Sequence, residues 1–502
     1  SALFYQKAWS VIKSDIMAAL TKLAVGDSRG FAKLNRALIV LIPKKPEAME
    51  VGDFRPISLP HSFSKLFAKL LANRVRPRMA DLVGVNQSAF IKGRSLHDNY
   101  LLVRQVAMKI RARKNHGVFL KLDITRAFDS LSWPFLFEVL RAKGFGPHCL
   151  ARMAALLMTA STRVLVNGVP GRRIWHAKGL RQGDPMSPVL FNIVVDMLAI
   201  LIGRAKDAGQ VGGLIPHLVD GGVSILQYAD DTIIFMEHDL AKARNMKLVL
   251  CLFEQLSGLK INFHKSELFC FGRANDEQDA YKQLFGCELG ALPFTYLGIP
   301  IHHRKLTNRE WKCIEDRFEK KLSCWKGKLM SYGGRLILIN SVLTSMPMFL
   351  LSFFEVPVGV RKRLDFYRSR FFWQSDELKR KYRLAKWDII CRPKDQGGLG
   401  IENLEVKNRC LLSKWLYKLS VETEATWAQI LRSKYLQSKT LSQVTVRPTD
   451  SPFWKGLMRV KAAFFNRTKF IVGNGNYTHL WEDTWLGETP LALQYPSLYR
   501  IV

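Results

Sequence analysis

Two adjacent carboxylates, Asp230 and Asp231, follow Tyr228-Ala229 where the chain must turn sharply. Strand-forming residues flank them in residues 224–228 and 232–235. A single Asp is an ordinary turn residue, so one acid here would carry no information. Two adjacent acids repel each other and a tight turn cannot separate them far, whereas the oxygen ligands they offer suit Mg²⁺. The pattern indicates metal-assisted chemistry, but a string of four residues also occurs by chance.

Asp123 is a third candidate, because it lies near the end of the almost continuously apolar residues 118–124. A carboxylate at the end of a buried strand is costly without a partner. If that strand lies beside the strands flanking Asp230-Asp231, the acids converge on the same ions. Two metals about 3.5–4 Å apart can activate a 3′-hydroxyl and stabilise a pyrophosphate leaving group. The alternative is that Asp123 caps the turn after its strand.

The elements that must position these acids follow from the apolar periodicity. Residues 37–42 predict a buried strand stopped by Pro43, and Asn167-Gly168 has hairpin chemistry. Polar residues 179–184 and 258–265 predict loops. The predicted helices cover residues 4–23, 63–75 (with Ser62 or Ser64 as the cap), 99–113, 133–160, 188–202 and 240–257.

From about residue 302 the sequence changes to basic helices mixed with aromatics, as in HHRKLTNREWK and RKRLDFYRSRFFW. This change predicts a lobe boundary near residue 300, with a weaker one near Gly397-Gly398. Basic side chains there suit phosphates, and the aromatics either pack the helices or stack on bases.

The composition favours a nucleic-acid partner. The 502 residues carry 76 Lys and Arg against 42 Asp and Glu, a formal net charge of +34. Such an excess repels itself unless a polyanion binds it, the alternative being a solvated basic surface. Forty-eight percent hydrophobic residues suffice for a large core, and the length predicts two or more lobes.

The eight cysteines show no C-x-x-C pair and no zinc-finger spacing, which predicts free thiols in a reducing compartment. The apolar stretches are expected to fall short of a membrane span, with Asp196 interrupting the one after Pro188. No signal peptide opens the chain, so an intracellular protein is expected. The first residue is Ser, which predicts a fragment or a conceptual translation that lacks upstream parts.

Seven strings, taken in order, resemble the reverse transcriptases of non-LTR retrotransposons. Two look like the fingers motifs and five like the palm motifs of that family, and together they cover about residues 1–300. They are LIPKKPEAMEVGDFRPISL (41–59), NQSAFIKGRSLHDN (86–99), KLDITRAFDSLSW (121–133), GLRQGDPMSPVLFN (179–192), QYADDTIIF (227–235), GLKINFHKSE (258–267) and YLGIPI (296–301). Residues 300–502 are similar to the region downstream of the polymerase in plant elements of this type.

The resemblance implies that Asp123, Asp230 and Asp231 are catalytic and bind two Mg²⁺ ions, for which Mn²⁺ can substitute. The backbone carbonyl of Ile124 would be a further ligand, and Asp231 would support the metal nearer the primer. Phe128 falls where the family has its sugar gate, and an aromatic there would clash with a 2′-hydroxyl. Without the motif, core packing would explain Phe128 equally well.

The resemblance also implies a nucleotide-binding set. Gln182 matches a glutamine beside the incoming nucleotide, and Gly183 would let the backbone approach it closely. Arg55 and Arg94 match basic positions that clasp the triphosphate, although surface arginines are the commoner case. Lys265 is a candidate proton donor to pyrophosphate, or simply a solvated lysine.

The implied fold is α+β, a right-hand polymerase with α/β fingers, an antiparallel palm sheet and a helical thumb. The expected parts are an N-terminal extension with fingers (1–115), a palm with remaining fingers elements (116–301, the reverse transcriptase domain starting near 24), a basic thumb-like region (302–396), and a mainly helical C-terminal region (397–502) that begins a truncated zinc-binding-type segment. The implied partners are an RNA template, a DNA primer or target and dNTPs, without a membrane, in a cytoplasmic ribonucleoprotein and the nucleus.

Two other functions stay open at the level of the sequence. A catalytically silent retroelement remnant would act at most as a basic RNA-binding protein. An RNA-dependent RNA polymerase is disfavoured by Phe128, because enzymes that make RNA need a gate that accepts the 2′-hydroxyl.

Overall fold

The computed structural model describes residues 2–112, 116–301, 304, 306–325, 329–374, 382–437, 439–475 and 478–501. The chain forms two compact units, residues 1–292 and 293–502. Every candidate site residue lies in the first unit. The finer division expected at residues 115, 301 and 396 stays a prediction.

The first unit is built on two sheets. The central sheet has the strand order β12-β11-β3-β9-β8 and is antiparallel except where β12 joins β11. The second sheet has the order β2-β1-β5-β6, with β7 also paired to β5. The strands are β1 Arg36–Pro43, β2 Phe54–Pro60, β3 Gly117–Leu122, β4 Ile124–Thr125, β5 Ser161–Val166, β6 Val169–Pro170, β7 Ile174–Trp175, β8 Ile225–Tyr228, β9 Asp231–Glu237, β10 Lys260–Ile261, β11 Glu267–Phe271 and β12 Glu288–Leu289.

Helices cover the central sheet and supply most of the core. The predicted helix of residues 133–160 is two helices, and the predicted strands and the hairpin at Asn167-Gly168 are present. The helices are α1 Ala2–Lys7, α2 Trp9–Ala24, α3 Phe31–Leu34, α4 Ser62–Val75, α5 Met79–Leu82, α6 Leu96–Ala112, α7 Ala127–Ser130, α8 Trp133–Ala142, α9 Pro147–Met158, α10 Ser187–Asp207, α11 Leu240–Ser257 and α12 Gln278–Phe285. Arg113, the predicted end of α6, lies outside the described residues.

Two local predictions are wrong. Strand β1 forms and ends at Pro43, but it is not buried, since Leu38, Leu41 and Ile42 are between 37% and 47% exposed. Helix α4 is capped by His61, whose ring accepts a hydrogen bond from the Phe63 amide, rather than by Ser62 or Ser64.

Helix α10 is the main core helix. It is long and apolar enough to cross a membrane, so the expectation that Asp196 shortens it below a span is wrong. However, 67% of its most apolar window is buried inside the protein, which is the environment of a core helix. The Asp196 side chain is 3% exposed and accepts hydrogen bonds from Lys143 Nζ and the Gly84 amide, each at 2.8 Å. These partners explain how an acid is tolerated inside an apolar helix.

The second unit is mainly helical among its described residues, with one antiparallel pair of strands, β13 and β14. Buried polar groups join its segments, as where Asn408 Nδ2 donates to the Leu351 and Phe354 carbonyls. The elements are β13 Phe294–Tyr296, β14 Ile299–Ile301, α13 Asn308–Cys324, α14 Tyr332–Leu338, α15 Met348–Leu351, α16 Val358–Gln374, α17 Trp387–Ile390, α18 Leu404–Val421, α19 Thr426–Leu431, α20 Pro452–Phe465, α21 Leu491–Gln494 and α22 Pro496–Tyr499.

We expect Asp196→Ala to lower the free energy of unfolding by about 3–5 kcal/mol, because it leaves the part-buried Lys143 ammonium without its counter-charge. Equilibrium denaturant unfolding measures the loss. The control is Glu138→Ala, which removes an exposed ion pair with Arg141 and should cost less than about 1 kcal/mol. Equal losses in the two variants would contradict a stabilising role for the buried pair.

Candidate active site

The register of the central sheet brings the three predicted acids together. Strand β3 pairs with β9 up to Leu122 opposite Thr232, and β8 pairs with β9 up to Tyr228 opposite Asp231. Asp123 follows Leu122 directly, so it lies at the strand end opposite Asp231. Neighbouring strands are about 4.8 Å apart, which makes Asp123 and the Asp230-Asp231 turn immediate neighbours.

Backbone contacts fix the position of Asp123. The Asp123 amide donates to Ser266 Oγ at 3.1 Å, and its carbonyl accepts from the Asn262 amide at 2.7 Å. Ile124, the next residue, pairs with Ile261 of β10. The loop predicted for residues 258–265 therefore contains a short strand that fixes the end of β3.

Partial burial and neighbouring carboxylates raise the pKa values of Asp230 and Asp231. Partial withdrawal from water raises the pKa of Asp230 above its ordinary value, and the negative charge of Asp123 adds to the rise, while its own backbone amide and Arg55 oppose it. Partial burial and the charge of Asp230 likewise raise the pKa of Asp231, with Lys121 opposing. Both acids remain exposed on one side. The site therefore concentrates negative charge that a cation would stabilise.

The acids suit a divalent cation that is also coordinated by water or by substrate phosphates. Within the described ranges, no three Asp, Glu, His or Cys side chains are close enough to form a preformed metal cage. Mg²⁺ seldom needs such a cage, because it commonly binds one or two carboxylates together with water and substrate phosphates. Lys121, near Asp231, is already paired with Glu267 at 2.7 Å. The carboxylates are thus available oxygen ligands in an open cleft.

A pocket of about 630 Å³ lies against Asp230. Its walls come from the second sheet, from α7 and from the loop before α10. Six of the predicted site residues line it, namely Arg55, Ile124, Phe128, Gln182, Gly183 and Asp230. The pocket has the size of a nucleotide-type ligand, since small-molecule pockets measure about 300–1,000 Å³.

Phe128 lines the pocket and is also packed against the core. Its ring stacks on Phe191 with the centroids 4.6 Å apart and the planes 18° apart. Its carbonyl accepts from the Leu180 amide at 2.6 Å. The sugar-gate and core-packing interpretations of Phe128 are therefore compatible, because packing against Phe191 fixes the ring that lines the pocket.

Gln182 and Gly183 line the pocket through a loop bonded to the second sheet. The Gln182 carbonyl accepts from the Ser58 amide at 2.9 Å. Gly183 has φ +101°, and a Cβ there would lie 2.9 Å from the Ser58 carbonyl oxygen. Glycine is thus required for close approach to β2, a reason that the sequence did not reveal.

Arg94 and Lys265 are not among the residues that line this pocket. The Arg94 guanidinium donates to four backbone carbonyls, those of residues 80, 83, 84 and 87, and so ties together the chain between α5 and α6. Lys265 is exposed, and its amide donates to Asn262. Arg94 therefore binds backbone carbonyls in this structure, whereas the resemblance implied that it contacts the triphosphate.

Sequence reasoning missed the other residues that line the pocket, among them the charged residues Lys44, Arg126 and Asp129. Arg126 precedes α7 with φ +46°, a left-handed conformation that is uncommon for a side chain of this size. Partial burial raises the pKa of Asp129, against the charges of Arg126 and Lys44. The string TRAFD (125–129) could have pointed to Arg126 and Asp129, because it places these two charges on either side of Phe128, the predicted sugar gate.

A basic pocket of about 450 Å³ lies on the second sheet, away from Asp230. It is lined by Lys33, Arg36, His61, Arg163 and Arg173 and by no Asp or Glu. Beside it, Trp175 is 56% exposed and the Arg173 guanidinium lies 5.8 Å from its ring centroid. Exposed cations next to an exposed aromatic suit single-stranded nucleic acid.

An antiparallel sheet that presents acids at one end, with a second sheet over a nucleotide-sized pocket, is the palm and fingers of a right-hand polymerase. Residues 42–301 match the family described as Reverse transcriptase (RNA-dependent DNA polymerase), and since this match spans just over half of the 502 residues, the chain belongs to that family. The resemblance to reverse transcriptases of non-LTR retrotransposons is confirmed.

Relatives from retrotransposons cover most of the chain. The Pol polyprotein of type-2 retrotransposable element R2DM from Drosophila melanogaster is 25% identical over 409 residues, 78% of this chain and 36% of the relative. The 149 kDa protein of transposon TX1 from Xenopus laevis is 26% identical over 351 residues, 68% and 26% respectively. The chain thus spans about a quarter to a third of these relatives. A solved telomerase from Candida tropicalis, in complex with a fragment of telomeric RNA, is 14% identical with a TM-score of 0.40, covering 84% of this chain and 67% of that one.

We expect Asp230→Asn to raise the melting temperature at neutral pH in EDTA. Because the pKa of Asp230 is higher in the folded than in the unfolded protein, the folded state loses stability as the pH rises from the unfolded to the folded pKa. The ionised carboxylate of Asp230 therefore destabilises the fold at pH 7. The neutral amide removes this repulsion. Adding Mg²⁺ should raise the melting temperature of the wild type more than that of the variant.

Thermal unfolding with and without the ion measures both effects. Asp81→Asn is the control, because Asp81 forms an exposed ion pair with Arg78 whose loss should change little. A melting temperature in EDTA that is lower for Asp230→Asn than for the wild type would contradict repulsion between Asp230 and its neighbouring carboxylates.

Proposed function

We propose that the chain is the RNA-directed DNA polymerase of a non-LTR retrotransposon, which extends a DNA 3′ end on an RNA template with two Mg²⁺ ions. One observation carries the proposal. Asp123 and the Asp230-Asp231 turn lie at adjacent strand ends beside a nucleotide-sized pocket. Membership of the reverse transcriptase family supports the same conclusion.

The proposed role of the acids is to hold charge where the reaction needs it. Divalent ions, when bound, would lower the pKa of the primer hydroxyl and neutralise the leaving pyrophosphate. Asp123 and Asp230 would supply the oxygen ligands, with the Ile124 carbonyl as a further one. Asp231 would add negative charge on the primer side. The chemistry then requires mainly positioning and charge neutralisation.

The basic residues of the pocket would bind the triphosphate. Arg55 lies close enough for its positive charge to oppose the rise in the pKa of Asp230. Arg126 and Lys44 line the same pocket. Arginine is suited to phosphate oxygens through its fork of donors. Phe128, held by its stack on Phe191, would clash with the 2′-hydroxyl of a ribonucleotide. Gln182 would face the incoming nucleotide from the loop.

The net charge of +34 and the basic pocket on the second sheet support template binding. A polyanion neutralises the excess charge, and contacts to phosphates are independent of sequence. In this proposal, Trp175 and the arginines beside it contact the single-stranded RNA ahead of the hybrid. The expected cytoplasmic ribonucleoprotein and nuclear locations belong to the same proposal.

Primer extension on an RNA template tests the activity. We expect wild-type protein with Mg²⁺ and dNTPs to extend a DNA primer, and Asp123→Asn and Asp230→Asn to lose about 10²-fold or more in rate, because a carboxylate ligand is replaced by a neutral group. Asp81→Asn is the matched control and should retain the wild-type rate.

Incorporation that is equal in wild type and Asp230→Asn would remove the proposed metal site. Tight binding of an RNA–DNA hybrid with no incorporation under either Mg²⁺ or Mn²⁺ would favour the alternative of a basic RNA-binding remnant.

Phe128→Ala tests the sugar gate. Removing the ring opens space for a 2′-hydroxyl, so we expect discrimination against ribonucleotides to fall by roughly tenfold or more. Single-nucleotide incorporation with matched dNTP and rNTP measures the ratio. Phe135→Ala is the control, because this partly buried aromatic of α8 packs on the core and does not line the pocket. Unchanged discrimination would assign Phe128 to packing alone.

A further inference from the structure

The turn that carries Asp230 contains a strained residue. Strands β8 and β9 pair up to Tyr228 opposite Asp231, so the connection consists of Ala229 and Asp230 alone. Ala229 has φ +55°. A residue with a Cβ is disfavoured in this left-handed region by roughly 1–2 kcal/mol. Such a conformation persists only where the surroundings impose it.

Gln87 supplies that constraint from a distant part of the chain. Its Oε1 accepts a hydrogen bond from the Ala229 amide at 2.9 Å, and its Nε2 donates to the Ala229 carbonyl at 3.3 Å. Gln87 is fully buried, and its Oε1 also accepts from the Ala89 amide at 3.0 Å. Both backbone polar groups of the strained residue are therefore bound by one side chain.

The backbone around Gln87 is itself fixed to strand β8. Gln227 donates its amide to the Asn86 carbonyl at 2.8 Å, and its carbonyl accepts from the Ser88 amide at 3.1 Å. The Asn99 side chain donates to the same Gln227 carbonyl at 2.8 Å, and Ser88 Oγ donates to Asn99 Oδ1 at 2.6 Å. The short segment thus forms an isolated parallel bridge with β8, between Gln87 and Gln227, and the Gln87 side chain extends this contact to the turn.

We propose that Gln87 is a positioning residue that holds Ala229 in its left-handed conformation and thereby fixes the Asp230 carboxylate beside Asp123. Asp230 is the second residue of a two-residue connection, so its direction depends on the dihedral angles of Ala229. The consequence for cation binding rests on the proposed function, whereas the clamp on the backbone does not.

The amide group of glutamine is needed because the turn presents one donor and one acceptor. A glutamate would lose the donor and bring a buried charge against the Ala229 carbonyl. A methionine has a similar length but can make neither hydrogen bond. An asparagine is one methylene shorter. The geometry therefore predicts that Gln87→Met removes the clamp with little change in side-chain volume.

Hydrogen–deuterium exchange of the β8–β9 turn tests the clamp directly. We expect the Ala229 amide to exchange about tenfold faster in Gln87→Met, the factor expected from the loss of a typical hydrogen bond. Gln227→Met is the matched control, because Gln227 is equally buried and its Nε2 donates to the Val195 carbonyl rather than to the Ala229 carbonyl. Similar acceleration in both variants would overturn a specific clamp.

A second measurement follows binding of Mn²⁺ by electron paramagnetic resonance. Gln87→Met should bind the ion about tenfold more weakly than Gln227→Met, and Ala229→Gly added to Gln87→Met should recover part of the affinity, because glycine adopts a left-handed conformation without strain. Undiminished Mn²⁺ affinity in Gln87→Met would overturn the positioning role.

The two proposals fail in different ways. If the wild type neither binds Mn²⁺ nor extends a primer while Gln87→Met still accelerates exchange at Ala229, the polymerase proposal and the positioning role fail and the clamp stands. If Gln87→Met does not fold, hydrogen–deuterium exchange of the wild-type protein tests the clamp instead. An Ala229 amide that exchanges as fast as an exposed loop amide would overturn it.

Discussion

The first unit depends on holding like charges together. Three carboxylates lie at neighbouring strand ends, and partial burial together with their mutual repulsion raises the pKa values of Asp230 and Asp231. The backbone must therefore oppose the separation of these groups before any cation is present. It does so through the β3–β9 ladder on one side and the short pairing of Ile124 with Ile261 on the other. Local instability at the strand ends is tolerated because the apolar strands behind them are deeply buried.

Polar contacts also link helix α10 to the strand that precedes the Asp230 turn. Asp196 lies in the apolar helix α10, where its carboxylate binds Lys143 and the Gly84 amide. Arg94 binds four carbonyls of the same connecting segment. That segment then continues as residues 86–88, which lie against β8. A series of hydrogen bonds thus runs from the core helix to the strand that precedes the Asp230 turn.

The proximity of the acids and six of the residues that line the pocket could be predicted, because these depend on local sequence, whereas most of the lining could not. Strand runs ending at Asp123 and Tyr228 imply adjacent strand ends once the sheet is assumed, and motif matches add Phe128 and Gln182. Exposure of β1 could not be predicted, because six apolar residues in succession indicate a strand but not what covers it. The hydrogen bonds of Arg94 to backbone carbonyls could not be predicted for a related reason, since the sequence does not reveal whether an arginine faces a ligand or the main chain.

The loop of residues 179–184 limits the size of the pocket beside Asp230 through its main chain. Its amides donate to the carbonyls of Phe128 and Leu131, its Gln182 carbonyl accepts from Ser58, and Gly179 and Gly183 leave no room for a Cβ against Asp129 and Ser58. The distance between helix α7 and strand β2 is therefore set by the backbone. Under the proposed function, substituting a side chain such as Phe128 would change which sugar fits, while this backbone distance would stay the same. A larger substrate would instead require a change in the length or the glycines of this loop.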